Sequence, residues 1–250
     1  MRKKSFFRAI LSVLVILSML ASIPVFAEEA SGDNDYVVTY SASVIEDPAM
    51  LLDMAFSQEH ISPFKQNSIA LYSEEDPYDF SSSQLLERKE YSDGRIEEEY
   101  CTTNLLVLDE TGSRVTRTNY YNNYKDGTGS GTAGIAALHR LYYSYYNSNE
   151  SDPALGEFYT KLTKVSTKVT SKPVSVSFDQ GYRVQDDLGS REWTNEKTYS
   201  NVSLGTEYTL TASGTVYVPV SYVSGMNSWA TVYPSSNPGA DFTIYVGDIW

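Results

Sequence analysis

A strict alternation of apolar and polar residues near the C-terminal end constrains the fold of this chain most. Residues 208–212 place an apolar side chain at every second position, and residues 216–222 do so again after the turn signal Ser213-Gly214. Successive side chains of a β-strand point to opposite faces, so this pattern predicts a hairpin with one buried face. A second turn signal at 224–227 leads to a further strand over 229–233.

Similar short alternations, separated by Gly, Pro and Asn, extend back to residue 96. They predict an all-β fold, an antiparallel β-sandwich over residues 96–250. Besides the hairpin, we expect strands over 95–109, 114–124, 157–170, 174–178, 182–184, 197–204 and 241–246.

Four details of this prediction depend on particular residues or short segments. Lys164 and Lys168 face outward, as is typical of an edge strand. Pro219 has no backbone N–H to donate, so its strand lies at an edge or carries a bulge. Gln180-Gly181 is expected to form a turn. Residues 135–146 fit both periods, and the spacing of their apolar residues favours a short helix that runs into extended chain.

The first 27 residues have the three parts of an export signal. Four basic residues precede an apolar run at 9–23, and Val25-Phe26-Ala27 is typical of a signal-peptidase site. We therefore expect cleavage between Ala27 and Glu28 and a secreted, extracellular product without a membrane span in the mature chain. An uncleaved anchor is the alternative, and Pro24 argues against it.

Acidic residues are concentrated in the first third of the mature chain. Residues 28–112 hold 20 acidic and 4 basic side chains, whereas residues 113–250 hold 12 and 11. We expect residues 28–95 to form an acidic, partly irregular N-terminal region ahead of the sandwich. Three alternatives stay open for it: part of the same domain, a flexible spacer, or a removable pro-segment.

Local signals within this acidic region predict a few short elements. Residues 36–45 suit a short strand. Asp47-Pro48 is typical of a helix start, with Asp at the N-cap and Pro at the first helical position, and predicts a short helix near 48–57. A second short helix is expected over 83–90.

The charge and the single cysteine limit the classes of partner. Without a basic patch, neither nucleic acid nor an anionic membrane surface is expected to bind. Cys101 is the only cysteine, so there is no disulfide framework, and we expect it to be a buried small side chain. We expect no cofactor. A structural calcium site made of distant loop carboxylates stays open, but the sequence does not locate it.

The sequence offers little to catalysis. Cys101 with His139 or His60 is the one thiol–imidazole combination, and acidic rather than basic residues precede the cysteine. The G-x-G-x-x-G pattern at 129–134 follows no apolar strand of a parallel unit, which favours a loop. Carboxylate pairs for glycoside hydrolysis are abundant and include Glu97, Glu99, Asp186, Asp187 and Glu192. We assign no catalytic residue.

Tyrosine is the most informative residue type. The mature chain contains all 21 tyrosines, with dense clusters at 120–124 and 142–146. In a strand over 142–146, one pair of tyrosines is exposed unless both faces are covered. Exposed aromatic rows stack on sugar rings or anchor protein interfaces. The candidate ligand-binding residues are Tyr120, Tyr121, Tyr124, Tyr143, Tyr145 and Trp229.

The export signal, the acidic Asp-Gly-containing hairpin and the Ser/Thr/Tyr-rich β region together resemble small exported β-rich proteins of Gram-positive bacteria. That resemblance implies an extracellular location. The function expected from the residues is non-catalytic binding of an extracellular glycan or protein through exposed Tyr and Trp. A secreted, membrane-active toxin is the main alternative, and a glycoside hydrolase is the third. The oligomeric state stays open.

Overall fold

Two antiparallel β-sheets pack face to face, so the predicted all-β fold is confirmed. The computed structural model describes residues 36–57, 81–109, 113, 133–148, 158–172, 175–186, 191–219, 225–235 and 242–247. The predicted export signal and the strand over 114–124 lie outside these residues.

Strand order defines the two sheets. The seven-stranded sheet runs β1 (Tyr36–Ser41), β2 (Ser82–Tyr91), β3 (Ile96–Asp109), β4 (Ala133–Asn147), β5 (Phe158–Ser171) and β8 (Glu207–Thr211), and β9 (Val218–Pro219) also pairs with β5. The four-stranded sheet runs β11 (Phe242–Gly247), β10 (Gly225–Pro234), β6 (Val176–Gln185) and β7 (Glu192–Tyr199). One helix, α1 (Pro48–Ser57), follows β1, as Asp47-Pro48 predicts.

The core lies between the sheets as two apolar clusters. One contains Leu141, Tyr143 and Val165 of the larger sheet against Val184 and Val246 of the smaller sheet. The other contains, from the larger sheet, Leu106, Leu108, Ile135, Ala137 and Val169, and, from the smaller sheet, Val176, Phe178, Val232 and Ile244. Each cluster therefore joins both sheets across their inner faces.

A buried polar layer separates the two clusters along β4 and β5. The ring nitrogens of His139 each lie 2.9 Å from a hydroxyl, one on Thr167 and one on Ser228 of the other sheet. Thr167 donates to the side chain of Gln180 at 2.7 Å, and Gln180 donates to the carbonyl of Tyr208 at 2.9 Å. Hydrogen bonds thus join the sheets where apolar packing is interrupted.

The outer face of the larger sheet is partly covered by α1 and the chain that precedes it. Leu51 of the helix packs with Ile45 on an apolar patch made of Leu105, Val107, Ala136 and Leu138. Next to this patch, Glu46 pairs with the fully buried Arg140 at 3.1 Å and with Lys168 at 2.7 Å. Apolar contact and ion pairs therefore hold residues 45–55 against the sheet.

Two predicted helices are wrong, because both segments form strands. Residues 83–90 lie in β2, where Arg88 and Glu98 of β3 face each other across the ladder at 3.5 Å. Residues 135–146 lie in β4. Both faces of β4 are covered, the inner by the second sheet and part of the outer by α1, so apolar residues at either parity produced a helix-like spacing.

The predicted hairpin over 208–222 is also wrong. β8 and β9 both pair antiparallel with β5, so they form one edge strand that is interrupted between them. Within the interruption, the amide of Ala212 donates to Thr163 and the hydroxyl of Thr215 donates to Leu162. Gly214 has a φ of 73°, so Ser213-Gly214 produces a local excursion instead of a chain reversal. Pro219 lies on this edge, as predicted.

Three further expectations along the chain change. The strand expected over 157–170 is β5. It is not an edge strand, as Lys164 and Lys168 suggested, because β8 and β9 pair with its other side. Gln180-Gly181 lies inside β6, so the expected turn is wrong. The strand expected at 197–204 begins earlier, as β7.

The acidic region contributes directly to the larger sheet. β1 pairs with β2, and β2 pairs with β3 from Ser82 to Glu90. Two strands that precede residue 96 therefore extend the sheet to which β3 and β4 belong. The division into domains at residues 95 and 96 stays a prediction.

Candidate functional site

The predicted site residues have three different placements. Tyr120, Tyr121 and Tyr124 lie outside the described residues. Tyr143 and Tyr145 belong to the core, at 0% and 8% exposure, because their side of β4 faces the second sheet. They therefore form no exposed aromatic row, and that expectation is wrong. Trp229 lies on the outer face of the smaller sheet and is half-buried.

Trp229 lies across a glycine of the neighbouring strand. Its pairing partner in β6 is Gly181, and a Cβ atom built at Gly181 would lie 2.5 Å from Cζ2 and 2.7 Å from Cε2 of the indole. The indole continues toward β7, where its Nε1 lies 3.5 Å from Oε1 of Glu196. The missing side chain at position 181 thus allows the ring to lie close against the sheet.

Aromatic and hydroxyl groups surround Trp229 on this face. On the other side of Trp229, its partner in β11 is Tyr245, which is 65% exposed. Tyr233, at 38% exposure, donates to Asp179 at 2.8 Å. We call the outer surface formed by Gly181, Glu196, Trp229, Tyr233, Tyr245 and Asp179 the Trp229 face. Its four strands lie about 4.8 Å apart, so the row from Tyr245 to Glu196 is about 14 Å wide.

A second aromatic row crosses the outer face of the larger sheet. Tyr146 stacks on Tyr159 with ring centroids 5.1 Å apart, and Tyr217 contacts Tyr146 edge-on at 5.0 Å. Farther along the same face, Tyr36 and Tyr91 lie 5.3 Å apart. All five rings are half-buried. We call them the tyrosine stripe; it extends from β1 to β9, across six strands, over about 24 Å.

Charged side chains of both signs accompany the stripe. Glu97 of β3 occupies the position between its two halves and accepts a hydrogen bond from Tyr91 at 3.3 Å. The guanidinium of Arg95 lies 3.8 Å from the Tyr91 ring centre, and the Lys161 ammonium lies 5.7 Å from that of Tyr217. Burial, followed by the nearby Glu97 carboxylate, raises the pKa of Tyr217, so its hydroxyl stays protonated.

The thiol–imidazole pair considered from the sequence is not assembled. In the ladder of β3 and β4, Cys101 lies opposite Tyr142, whereas His139 lies opposite Asn104. The thiol points to the outer face and the imidazole to the inner face, because the two pairs differ by three positions. Burial also raises the pKa of the Cys101 thiol to about 11, which makes it a poor nucleophile.

Asp186 and Glu192 form ion pairs, whereas Glu99 lies near another carboxylate. Asp186 binds the side chain of Arg191 at 2.8 Å, and Glu192 binds Arg183 at 3.0 Å. Glu99 lies opposite Glu87, and burial followed by that neighbouring carboxylate raises its pKa. Asp187 lies outside the described residues.

No group of three or more His, Cys, Asp or Glu side chains is placed to hold a metal ion in the described part of the chain. Across the same residues, no helix has the length and apolar character needed to cross a bilayer.

Comparison of the chain with protein-family models, with curated proteins and with solved structures found no match. The arrangement of the side chains therefore carries the functional argument.

Sequence reasoning missed most of the aromatic residues that reach the surface. The alternation of Phe242, Ile244 and Val246 was sufficient to place Tyr245 on the opposite face of its strand. The tyrosine stripe had no such signal. Its five residues are distant in sequence, and only the strand order and register bring them together.

Proposed function

We propose that this chain is a secreted, non-catalytic binding protein that holds an uncharged extracellular glycan on the Trp229 face. The observation that carries the proposal is the indole of Trp229 lying over Gly181, next to the exposed ring of Tyr245. The apolar faces of pyranose rings pack on aromatic rings, while their hydroxyls need hydrogen-bond partners at the rim.

Polar groups at the rim of the Trp229 face suit sugar hydroxyls. Glu196 lies at one end of the row, and Asp179 lies beside Gly181 on β6. Glu196 is exposed, so its carboxylate oxygens can accept hydrogen bonds from sugar hydroxyls.

The charge of this face favours an uncharged ligand. Glu196 and Asp179 repel anionic sugars, and the nearby Arg183 is already paired with Glu192 at 3.0 Å. The aromatic surface and the carboxylates together suit a neutral polysaccharide better than an acidic one. The excess of acid over base in the whole chain points the same way.

Affinity electrophoresis of the full chain tests this function, in gels that contain hydroxyethyl cellulose, xylan or galactomannan. We expect at least one of these neutral polysaccharides to retard the protein and Trp229→Ala to weaken the affinity of the Trp229 face about tenfold, the loss of one central aromatic anchor. Gly181→Ala should have a similar effect, because its Cβ displaces the indole while the indole itself remains.

Trp193→Phe is the matched control. Trp193 packs against the inner cluster, on the other side of the sheet, so this variant should be retarded like the wild type. Equal retardation of the wild type, Trp229→Ala and Gly181→Ala would exclude the Trp229 face. If none of the three polysaccharides retards the protein, the proposal of a neutral-glycan ligand on this face fails.

A further inference from the structure

We propose that the tyrosine stripe is a second binding face for an uncharged polysaccharide, which makes the protein a cross-linker of polysaccharide chains. The inference rests in part on the proposed function, because the Trp229 face supplies the other site. The two faces are the outer surfaces of opposite sheets of the sandwich, so they point away from each other. One molecule can then hold two chains at once.

The geometry of the stripe suits an extended ligand. Its rings follow one line across the strands, from Tyr36 on β1 to Tyr159 on β5, with Tyr217 beside them. From β1 to β5 this line spans about 19 Å, so it is longer than the row of the Trp229 face. All five tyrosines are partly exposed, and each ring combines an apolar face with a hydroxyl that hydrogen-bonds.

The charges on the stripe favour a neutral occupant. Lys89 pairs with Glu87 at 2.6 Å, and Glu97 lies among Tyr91, Tyr217 and Arg95. A cationic ligand would meet the lysines and arginine, and an anionic ligand would meet the glutamates. A neutral polysaccharide leaves these pairs intact, and its hydroxyls both donate and accept hydrogen bonds, as groups of either sign require.

With two binding sites per molecule, the protein should join polysaccharide chains into a network, which a protein with one site cannot do. A bivalent protein joins chains when sites and chains are balanced, and an excess of protein saturates each chain separately. Turbidity of a mixture with a soluble polysaccharide should therefore rise and then fall as protein is added. A monovalent protein binds without turbidity.

The test measures turbidity, electrophoretic retardation and, by titration calorimetry, the number of binding sites of the full chain with hydroxyethyl cellulose, xylan and galactomannan. The stripe variant carries Tyr36→Ser and Tyr91→Ser, near the sheet edge, where substitution disturbs the core least. We expect it to abolish turbidity and to halve the number of binding sites, while the retardation that depends on Trp229 remains. Tyr40→Ser, on β1 but outside the stripe, is the matched control and should behave like the wild type.

Each outcome separates the two proposals. If the stripe variant keeps the turbidity and site number of the wild type, the stripe is not a binding face, and the function of the Trp229 face stands. If Trp229→Ala keeps half of the binding sites, and combining it with the stripe variant removes the remaining sites, both faces bind. If the variant with Tyr146→Ser and Tyr159→Ser, confirmed as folded by circular dichroism, is also unchanged, cross-linking by the stripe is overturned.

Discussion

At the scale of single residues, the buried imidazole of His139 shows how polar groups are accommodated between the sheets. Gln180 donates to Tyr208, so its oxygen accepts from Thr167. Thr167 has used its only hydrogen and accepts from Nδ1 of His139. Ser228 has one hydroxyl hydrogen, with Nε2 of His139 at 2.9 Å and the Val246 carbonyl at 3.2 Å as its two acceptors, and we assign it to the nearer Nε2. The neutral Nδ1–H tautomer satisfies this network.

This arrangement predicts a loss of stability in mild acid. Burial lowers the pKa of His139 to about 3 in the folded protein, whereas in the unfolded chain it is about 6.5. Only the unfolded state gains the proton as the pH falls through this window, so the free energy of unfolding should fall by up to about 1.4 kcal/mol per pH unit. Urea unfolding between about pH 6.5 and about pH 4.5 measures this slope.

The variant His139→Gln isolates the contribution of the imidazole. It removes the titrating group, so its free energy of unfolding should depend less on pH over the same window. The carboxylates of Glu46 and Glu207 have lowered pKa values in the folded protein, so they also reduce stability as the unfolded chain takes up their protons at the acid end of this window. Both proteins retain these carboxylates, so the difference between the two slopes isolates the imidazole. Parallel slopes in the wild type and the variant would contradict the assignment.

At the scale of elements, both ion pairs and apolar contacts hold the segment from the end of β1 to the end of α1 against the larger sheet. Burial raises the pKa of Glu46, but hydrogen bonds to Lys168 and Arg140 outweigh it and hold that pKa below its usual range. The Ile45 carbonyl also accepts from Arg140 at 3.3 Å. These contacts bring α1 over the sheet, where Leu51 enters the apolar patch.

Met50 and Leu51, which are adjacent in α1, give a matched pair of substitutions. Leu51 is 5% exposed and Met50 is 52% exposed. Leu51→Ala should lower the free energy of unfolding by about 2–5 kcal/mol, since it leaves a cavity against the sheet. Met50→Ala should change it by less than about 0.5 kcal/mol. Chemical denaturation of both variants makes the comparison, and equal losses would mean that the helix does not dock through Leu51.

At the scale of the whole molecule, the acidic first third and the β region share one sheet. β2 pairs with β3 over most of its length, and Arg88 and Lys89 of β2 meet acidic residues across and along the ladder. Removing residues before 96 would therefore leave β3, a 14-residue strand, with an unpaired edge.

This pairing makes a prediction about the removable pro-segment. Residues 96–250 expressed alone should aggregate or unfold at a lower denaturant concentration than residues 28–250, because the edge of β3 loses its ladder. Size-exclusion chromatography and urea unfolding provide the measurements. A monomeric fragment as stable as the full chain would instead support a pro-segment that is removed after folding.

Short-range patterns were sufficient for some elements and failed for others. Asp47-Pro48 predicted the start of α1, since a helix cap is a local interaction. Trp229 was a candidate because it is an aromatic residue beside the alternating segment, and it lies on the outer face of its strand. The failures lie where burial on two sides hid the period, as in β4, or where a second strand competed for pairing, as in β8 and β9.

The sequence by itself determined the strand-rich fold class, since alternation is written into neighbouring residues. Only the tertiary structure decided which strands are neighbours. The expected hairpin is replaced by an interrupted edge strand on β5. Here β8, β9 and Thr215 all form hydrogen bonds to β5, and a tight turn at Ser213-Gly214 would pair the two segments with each other instead. The same register placed Tyr143 in the core and collected Tyr36, Tyr91 and Tyr159 into one row, which no local pattern encodes.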